Sequence, residues 1–292
     1  MRFEYILNGV FLVRQFCIIK VFNNNVVLAR DKTDREEAVL VGKGLGFNAK
    51  PGNMLEDDKA EKIFYFIDKD KVKQLNRFNE DIIGITEEII SMVSRELKEP
   101  LNEHIHVALA DHIGFTLERL ETGLEITNPF LEEIKGLYPR EYELACKSAA
   151  MIEEKFAVDI PDGEKGFIAM HIHSARIDRE LAKTVKSTSM INKMVEIIEQ
   201  ELRLKLNRQD TNYARLIIHL RFALDRIDSE MTIKNPLLVR IKEEFSESYK
   251  TAIKISEYIK ERIGKAPPED ELGYLALHIQ RIKDSSAEHY TK

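Results

Sequence analysis

Cysteine is scarce in this chain, and so are long apolar runs, an excess of positive charge and the local signatures of catalysis. Cys17 and Cys146 are too few and too far apart to build a disulfide framework, which points to a reducing, cytoplasmic setting. No apolar run approaches the roughly 18–20 residues of a membrane span, so no membrane insertion is expected. The first fifteen residues, MRFEYILNGVFLVRQ, fail as a signal peptide, because Glu4 and Asn8 interrupt the apolar stretch and no small-residue cleavage site follows. Lysine and arginine number 44 against 50 acidic residues, a formal charge of −6. That balance excludes a protein that coats nucleic acid by bulk charge, so any RNA or DNA contact is local and selective. There is no Gly-x-Ser-x-Gly, no Gly-x-x-x-x-Gly-Lys-Ser/Thr and no evident basic partner for either cysteine. No catalytic residue and no cofactor site emerges.

What is present is a duplication. Residues 109–120 read LADHIGFTLERL and residues 216–227 read LIIHLRFALDRI, placing His112 on His219 at an offset of 107. The offset persists: Asn128-Pro129 falls on Asn235-Pro236, Tyr142 on Tyr249, Glu164-Lys165-Gly166-Phe167 on Glu271-Leu272-Gly273-Tyr274, and His171 on His278. Periods of roughly 20–50 residues mark stacked solenoid units, so a repeat this long is a duplicated domain. Each copy carries two histidines, His112/His171 and His219/His278, 59 residues apart.

Ahead of the repeats, residues 16–66 alternate like short strands. Phe16–Phe22, Val26–Ala29, Ala38–Val41 and Lys62–Ile67 are β-branched and aromatic, separated by turns at Asn23-Asn24-Asn25, at Asp31 to Glu37 and at Pro51-Gly52-Asn53. The run Gly42-Lys43-Gly44-Leu45-Gly46-Phe47 suggests positive φ and close backbone approach at its three glycines. It lacks the following helix that a phosphate loop needs. A sheet of about fifty residues is marginal alone, so a dimer is expected. From about residue 70 the apolar period becomes helical, with stripes such as Ile82-Ile83, Ile85, Ile89-Ile90 and Val93. Helices are expected over 103–121, about 128–136, 139–156 and about 164–177, with Asn128 and Asp162 as N-caps. A polar joint is expected over 178–188, and the pattern then repeats from Ser189 to Asp284. The fold class is therefore multidomain: a small antiparallel all-β domain followed by two homologous all-α helical bundles.

The histidines are the residues with chemistry to offer. One alone reads as a partly buried core side chain; four at matched positions shift the balance toward function, although duplication carries core residues along too. His104-Ile105-His106 and His171-Ile172-His173 resemble metal-ligand pairs, but residues at i and i+2 of a helix point about 200° apart. Gln280 also replaces His173 in the second copy, so no metal site is expected. A histidine can instead accept a phosphoryl group from a better donor, and the added charge makes or breaks a packed interface.

The run Lys20-Val21-Phe22-Asn23-Asn24-Asn25-Val26, the glycine run 42–47 and the duplicated histidine domains together resemble the BglG/SacY-type transcriptional antiterminators. The stretches Leu101–Ile113 and Gly166–Ala175 are similar to the glucose-specific, GlcT-like branch. The resemblance covers residues 16 to about 284. It implies a co-antiterminator RNA-binding domain over 1–70 (residues 1–15 an extension) and two regulation domains of the sugar phosphotransferase system, 71–181 and 182–292. The first domain would dimerise and bind a leader-mRNA hairpin through Lys20, Asn25, Gly42, Lys43 and Phe47, with Phe47 equally able to be core. His112 and His171 would be phosphorylated by the EIIB domain of the glucose permease, and His219 and His278 by the phosphocarrier HPr. Lys43 stands where several relatives carry arginine, which removes a bidentate fork. Asp111, a carboxylate beside His112, becomes Ile218 in the second copy, so the second domain is expected to be the weaker sensor. The rival readings are a DNA-binding activator with the same regulatory domains, which needs an N-terminal helix-turn-helix, and a metal-dependent enzyme.

Overall fold

Alternation over residues 16–65 produces two apolar faces rather than one. The computed structural model describes residues 6–7, 10–11, 14–65, 78–124, 126–178 and 180–289, with backbone alone at 6–7, 10–11 and 286–289. Strands β1 (Ile6–Leu7) and β2 (Val10–Phe11) pair with each other. Strands β3 (Gln15–Val21), β4 (Val26–Asp31), β5 (Glu37–Val41), β6 (Met54–Glu56) and β7 (Lys62–Tyr65) form an antiparallel sheet in the order β6-β3-β4-β5-β7. One face gathers Phe22, Val26, Leu28, Val39 and Val41 with Ile83 from the first helix. The other gathers Phe16, Ile18, Val27, Ala29, Ala38 and Leu40 under Leu45 and Leu55. Because successive residues of a strand point to opposite faces, β4 is buried at nearly every position. Strand β6 was not legible as a strand: only three residues long, it pairs with the outer edge of β3. The last two residues expected of β7, and the domain boundary at 70/71, lie outside the described residues.

The glycines of the run perform two different tasks. Gly44 alone among the three has positive φ, +74°. A Cβ on Gly42 would lie 2.7 Å from the Lys59 carbonyl, and one on Gly46 only 1.9 Å from the Asn23 carbonyl. Close packing, not left-handed backbone, therefore requires glycine at 42 and 46.

Helices α1 (Glu80–Leu97), α2 (His104–Glu121), α3 (Leu131–Leu137), α4 (Pro139–Phe156) and α5 (Asp162–Arg176) make up the first repeat. Helices α6 (Leu181–Leu202), α7 (Thr211–Asp228), α8 (Leu238–Glu244), α9 (Ser246–Ile263) and α10 (Glu269–His289) make up the second. Asn79 caps α1 by accepting from Asp81 N, and Asp210 caps α7 by accepting from Asn212 N. Asp162 proves to be the first residue of α5, after Pro161 as N-cap. Asn128 holds the turn before α3 by accepting from Phe130 N at 2.9 Å. The polar joint expected over 178–188 is largely helix, since α6 begins at Leu181. Thr184 and Thr188 are buried there, and Thr188 Oγ1 donates to the Thr184 carbonyl, which satisfies the hydroxyl inside the helix.

The chain packs as two compact units: residues 1–127 with 143–179, and residues 128–142 with 180–292. The connecting segment 128–142 of the first repeat thus belongs by packing to the unit of the second. There Tyr213 OH donates to the buried Glu133 at 2.7 Å, and Gly136 gives room to Ile217.

Candidate functional site

The two helical spacings that carry the histidines also carry their surroundings. On α2, His112, Thr116 and Arg119 sit at i, i+4 and i+7, one face of the helix. On α5, Glu164 and His171 are separated by seven residues and share a face. Helices α2 and α5 pack together and bring the rings of His112 and His171 to 5.0 Å, tilted by 40°. Phe167 lies 6.0 Å from His112 on the same side. In the second repeat α7 and α10 bring His219 and His278 to 4.4 Å, stacked at 29°, with Tyr274 at 6.3 Å. The structure thus joins each pair of histidines that the sequence leaves 59 residues apart.

Beside the first histidine of each pair lies a carboxylate that the sequence reading did not assign to the site. Glu164, 3% exposed in its side chain, approaches His112 Nε2 at 3.4 Å, accepts from Thr116 Oγ1 at 3.0 Å and from Arg119 Nη2 at 2.8 Å. Glu271 approaches His219 Nε2 at 3.3 Å and takes two bonds from Arg226, Nε at 3.0 Å and Nη2 at 2.5 Å. Each of these glutamates is the third residue of its helix. Both were visible as matched residues in the duplication, but nothing local connects them to a histidine 52 positions earlier. Asp111, expected to orient His112, is exposed. The replacement by Ile218 therefore removes no carboxylate from His219, and the physical basis for a weaker second sensor disappears.

Burial controls the charge of three of these rings. It lowers His112 to about 4, helped by the Arg119 guanidinium, and His171 to about 3, helped by His112. Burial also lowers His278 to about 4, with His219 and two arginines adding to it. All three are neutral at physiological pH. Burial raises the Glu271 carboxyl, yet His219 and Arg226 outweigh it and hold it below the usual range. His106, one of the suspected ligand pair, is buried against both oxygens of Glu87 at 2.8 Å, with its ring edge-on to Phe64. No group of three or more His, Cys, Asp or Glu suited to a metal ion occurs among the described residues.

The five residues expected at an RNA surface lie on one sheet domain, in two groups. Lys43 and Phe47 are exposed on the glycine loop, Phe47 at 65%, which removes it from the core. Beside Lys43, Gly44 and Phe47 is a cavity of about 650 Å³, also lined by Asn48, Asn53 and Lys59. Gly42 is buried beneath this loop. Asn25 ties the loop down, with its Oδ1 accepting from Gly44 N at 2.9 Å and its carbonyl from Gly42 N at 2.9 Å. Its amide nitrogen donates to Glu88 of α1 at 3.2 Å, and Lys20 Nζ pairs with Glu80 at 3.1 Å. Lys20 and Asn25 therefore face acidic groups of the helix that follows the sheet, a contact with no sequence signal.

A strand-built front domain thus precedes two helical repeats that each carry a paired-histidine cluster. The CAT RNA binding domain model matches residues 16–73, and the PRD domain model matches 87–175 and 192–282. The chain is 38% identical over 282 residues to the PtsGHI operon antiterminator of Bacillus subtilis, covering 94% of this chain and 98% of the relative. It is 32% identical over 272 residues to the transcription antiterminator LicT of the same organism, covering 91% and 98%. A crystal structure of the CAT-PRDI part of GlcT shares 42% identity with 56% of this chain and 98% of its own, at a TM-score of 0.49. The chain belongs to the CAT/PRD family of transcriptional antiterminators, the BglG/SacY type. Its relatives are regulators rather than enzymes, and no helix of the described residues is long and apolar enough to cross a membrane.

Proposed function

We propose that this chain is an RNA-binding transcription antiterminator whose activity follows sugar transport, with glucose as the sugar. As a homodimer, its sheet domain binds a hairpin in a leader mRNA and prevents the overlapping terminator from forming. Lys20, Asn25, Lys43 and Phe47 are the contacting side chains. Gly42 lets the loop sit close to the sheet, and exposed Phe47 stacks on an unpaired base. Functional domains follow the repeat, 1–70, 71–181 and 182–292, although packing groups 128–142 with the second unit.

Control enters through His112, His171, His219 and His278. Phosphorylated HPr is the donor for His219 and His278, and the EIIB domain of the glucose permease is the donor for His112 and His171 in a cytoplasmic setting. The observation that carries this reading is the matched pair of histidine clusters: in both repeats, two rings within 5 Å are backed by a buried carboxylate–arginine pair. A neutral imidazole is the nucleophile that phosphoryl transfer needs. A phosphoryl group there adds roughly −1.5 to −2 charge to closely packed rings beside a carboxylate, which is enough to repack them.

Two measurements test the reading. Incubation of the purified chain with the phosphocarrier cascade and phosphoenolpyruvate should add phosphate to these histidines by mass spectrometry; a chain that stays unmodified removes the control mechanism. Lys43→Ala should weaken binding of the leader hairpin by about 1–3 kcal/mol, and unchanged affinity in a gel-shift titration takes the glycine loop out of the RNA site.

A further inference from the structure

We propose that Glu164 and Glu271 are positioning residues that hold His112 and His219 as Nε2–H tautomers, so that each ring accepts its phosphoryl group on Nδ1. The inference rests on the phosphorylation reading above and specifies the atom. Three observations converge on it. In both repeats Nε2, not Nδ1, faces the carboxylate, at 3.4 and 3.3 Å. In both, that Nε2 is enclosed and has no hydrogen-bond partner, the glutamate being the acceptor it approaches just outside hydrogen-bond geometry. The carboxylate is itself fixed, by Thr116 and Arg119 in the first repeat and by Arg226 in the second. An ionised carboxylate only accepts, so the nitrogen facing it carries the proton and the other carries the lone pair. Arginine on the far side prevents the glutamate from turning away.

The alternative atom is unfavourable on the same geometry. A phosphoryl group on Nε2 would occupy enclosed space and set its negative charge against a carboxylate within 3.5 Å. On Nδ1 the transfer leaves the proton count unchanged. The Nδ1 lone pair attacks phosphorus and the new N–P bond forms. The bond to the donor's phosphorylated histidine or cysteine breaks, its electron pair returning to the donor atom. The Nε2 proton stays where it is, and the positive charge the ring acquires faces Glu164 or Glu271. The same division of labour operates where an aspartate fixes the tautomer of a catalytic histidine.

The experiment uses the full chain with imidazole-15N histidine, observed by NMR before and after treatment with the phosphocarrier cascade. Before treatment, the nitrogen shifts of His112 and His219 should report Nε2–H; an Nδ1–H tautomer overturns the inference whether or not the chain is ever phosphorylated. After treatment, phosphorus coupling should fall on Nδ1 of both rings. Coupling to Nε2 overturns the inference and leaves the control mechanism intact, whereas absence of phosphate on all four histidines overturns the control mechanism, and the tautomer measurement still decides the positioning role. Glu271→Gln should slow phosphorylation of His219 by roughly tenfold or more, short of the roughly 10⁴ known for loss of a fully buried tautomer-fixing carboxylate. It should also give a mixture of phosphorylated nitrogens, a readout that a merely structural role does not move. An unchanged rate with a single isomer counts against the assignment.

Discussion

The two helical repeats place the same four groups at the same helical positions, yet they solve the same electrostatic problem differently. In the first repeat Thr116 shares the carboxylate with His112, so Arg119 reaches Glu164 through one nitrogen and its Nε is enclosed without an acceptor. In the second, Ala223 stands at the threonine position and Arg226 closes on Glu271 with two nitrogens. The rings follow suit: tilted and 5.0 Å apart in the first copy, stacked and 4.4 Å apart in the second. Duplication has thus kept the charge arrangement while changing how tightly it is fastened. The first copy is the less saturated of the two, with a spare guanidinium donor near its histidines.

Acid should separate the repeats most strongly. A histidine whose folded pKa is lowered binds its proton more readily when unfolded. Its contribution to stability is therefore whole above the ordinary value of 6.5 and is lost as pH falls from there through the folded value. In the first repeat His112 falls to about 4 and His171 to about 3, so the window runs from about 6.5 down to about 3. In the second, His278 alone contributes a shift of this kind, to about 4. At about 1.4 kcal/mol per pH unit, the first repeat should lose on the order of 8 kcal/mol between pH 7 and pH 3, and the second about 2 once roughly 3.5 is discounted for the partial exposure of His278. Hydrogen exchange of the α2–α5 and α7–α10 amides across that range measures both. Equal acid sensitivity breaks the comparison.

Removing the carboxylate comes next in size. Breaking a buried ion pair from one side costs roughly 3–5 kcal/mol. Arg119 and Arg226 retain 24% and 21% side-chain exposure, so about 2–3 kcal/mol is expected for Glu164→Ala or Glu271→Ala. Glu164→Ala should cost more, because Thr116 loses its acceptor as well. Urea unfolding of each variant against the native chain provides the number, and a smaller loss for Glu164→Ala would reverse the ranking.

These clusters also mark where sequence reasoning reached and where it stopped. The duplication, the paired histidines, the strand domain and most helices follow from periodicity and matched positions, because each depends on neighbours in the chain. Glu164 and Glu271 were visible as matched residues, but their role depends on α5 and α10 packing against helices that begin about sixty residues earlier. The spacing of seven between Glu164 and His171, repeated at Glu271 and His278, was the one available signal. Asp111 drew attention because it adjoins His112 in sequence, and adjacent helical residues point apart. The contacts of Glu80 and Glu88 with Lys20 and Asn25 had no signal at all. The start of α6 was misread for a local reason: Thr184 and Thr188 look polar, but one hydroxyl bonds back into the helix and both bury.

The smallest expected effect is the sharpest probe of the difference between the copies. If Thr116 is what keeps Arg119 from closing on Glu164 with two nitrogens, then Thr116→Ala should make the first cluster resemble the second. The lost hydroxyl bond is worth about 0.5–1.5 kcal/mol. A second arginine–carboxylate bond, charge-assisted and replacing an unmade one, should offset most of it. Net stability should therefore move by less than about 1 kcal/mol, while the side-chain Nε–H of Arg119 gains an acceptor. The reverse change, Ala223→Thr, should loosen Arg226 without that compensation and cost about 1 kcal/mol. Arginine Nε–H exchange rates read the fastening directly, slowing at Arg119 in the first variant and quickening at Arg226 in the second. If Arg119 Nε–H exchanges as fast in Thr116→Ala as in the native chain, the threonine is not what distinguishes the repeats, and the cause lies in the different stacking of their histidine rings.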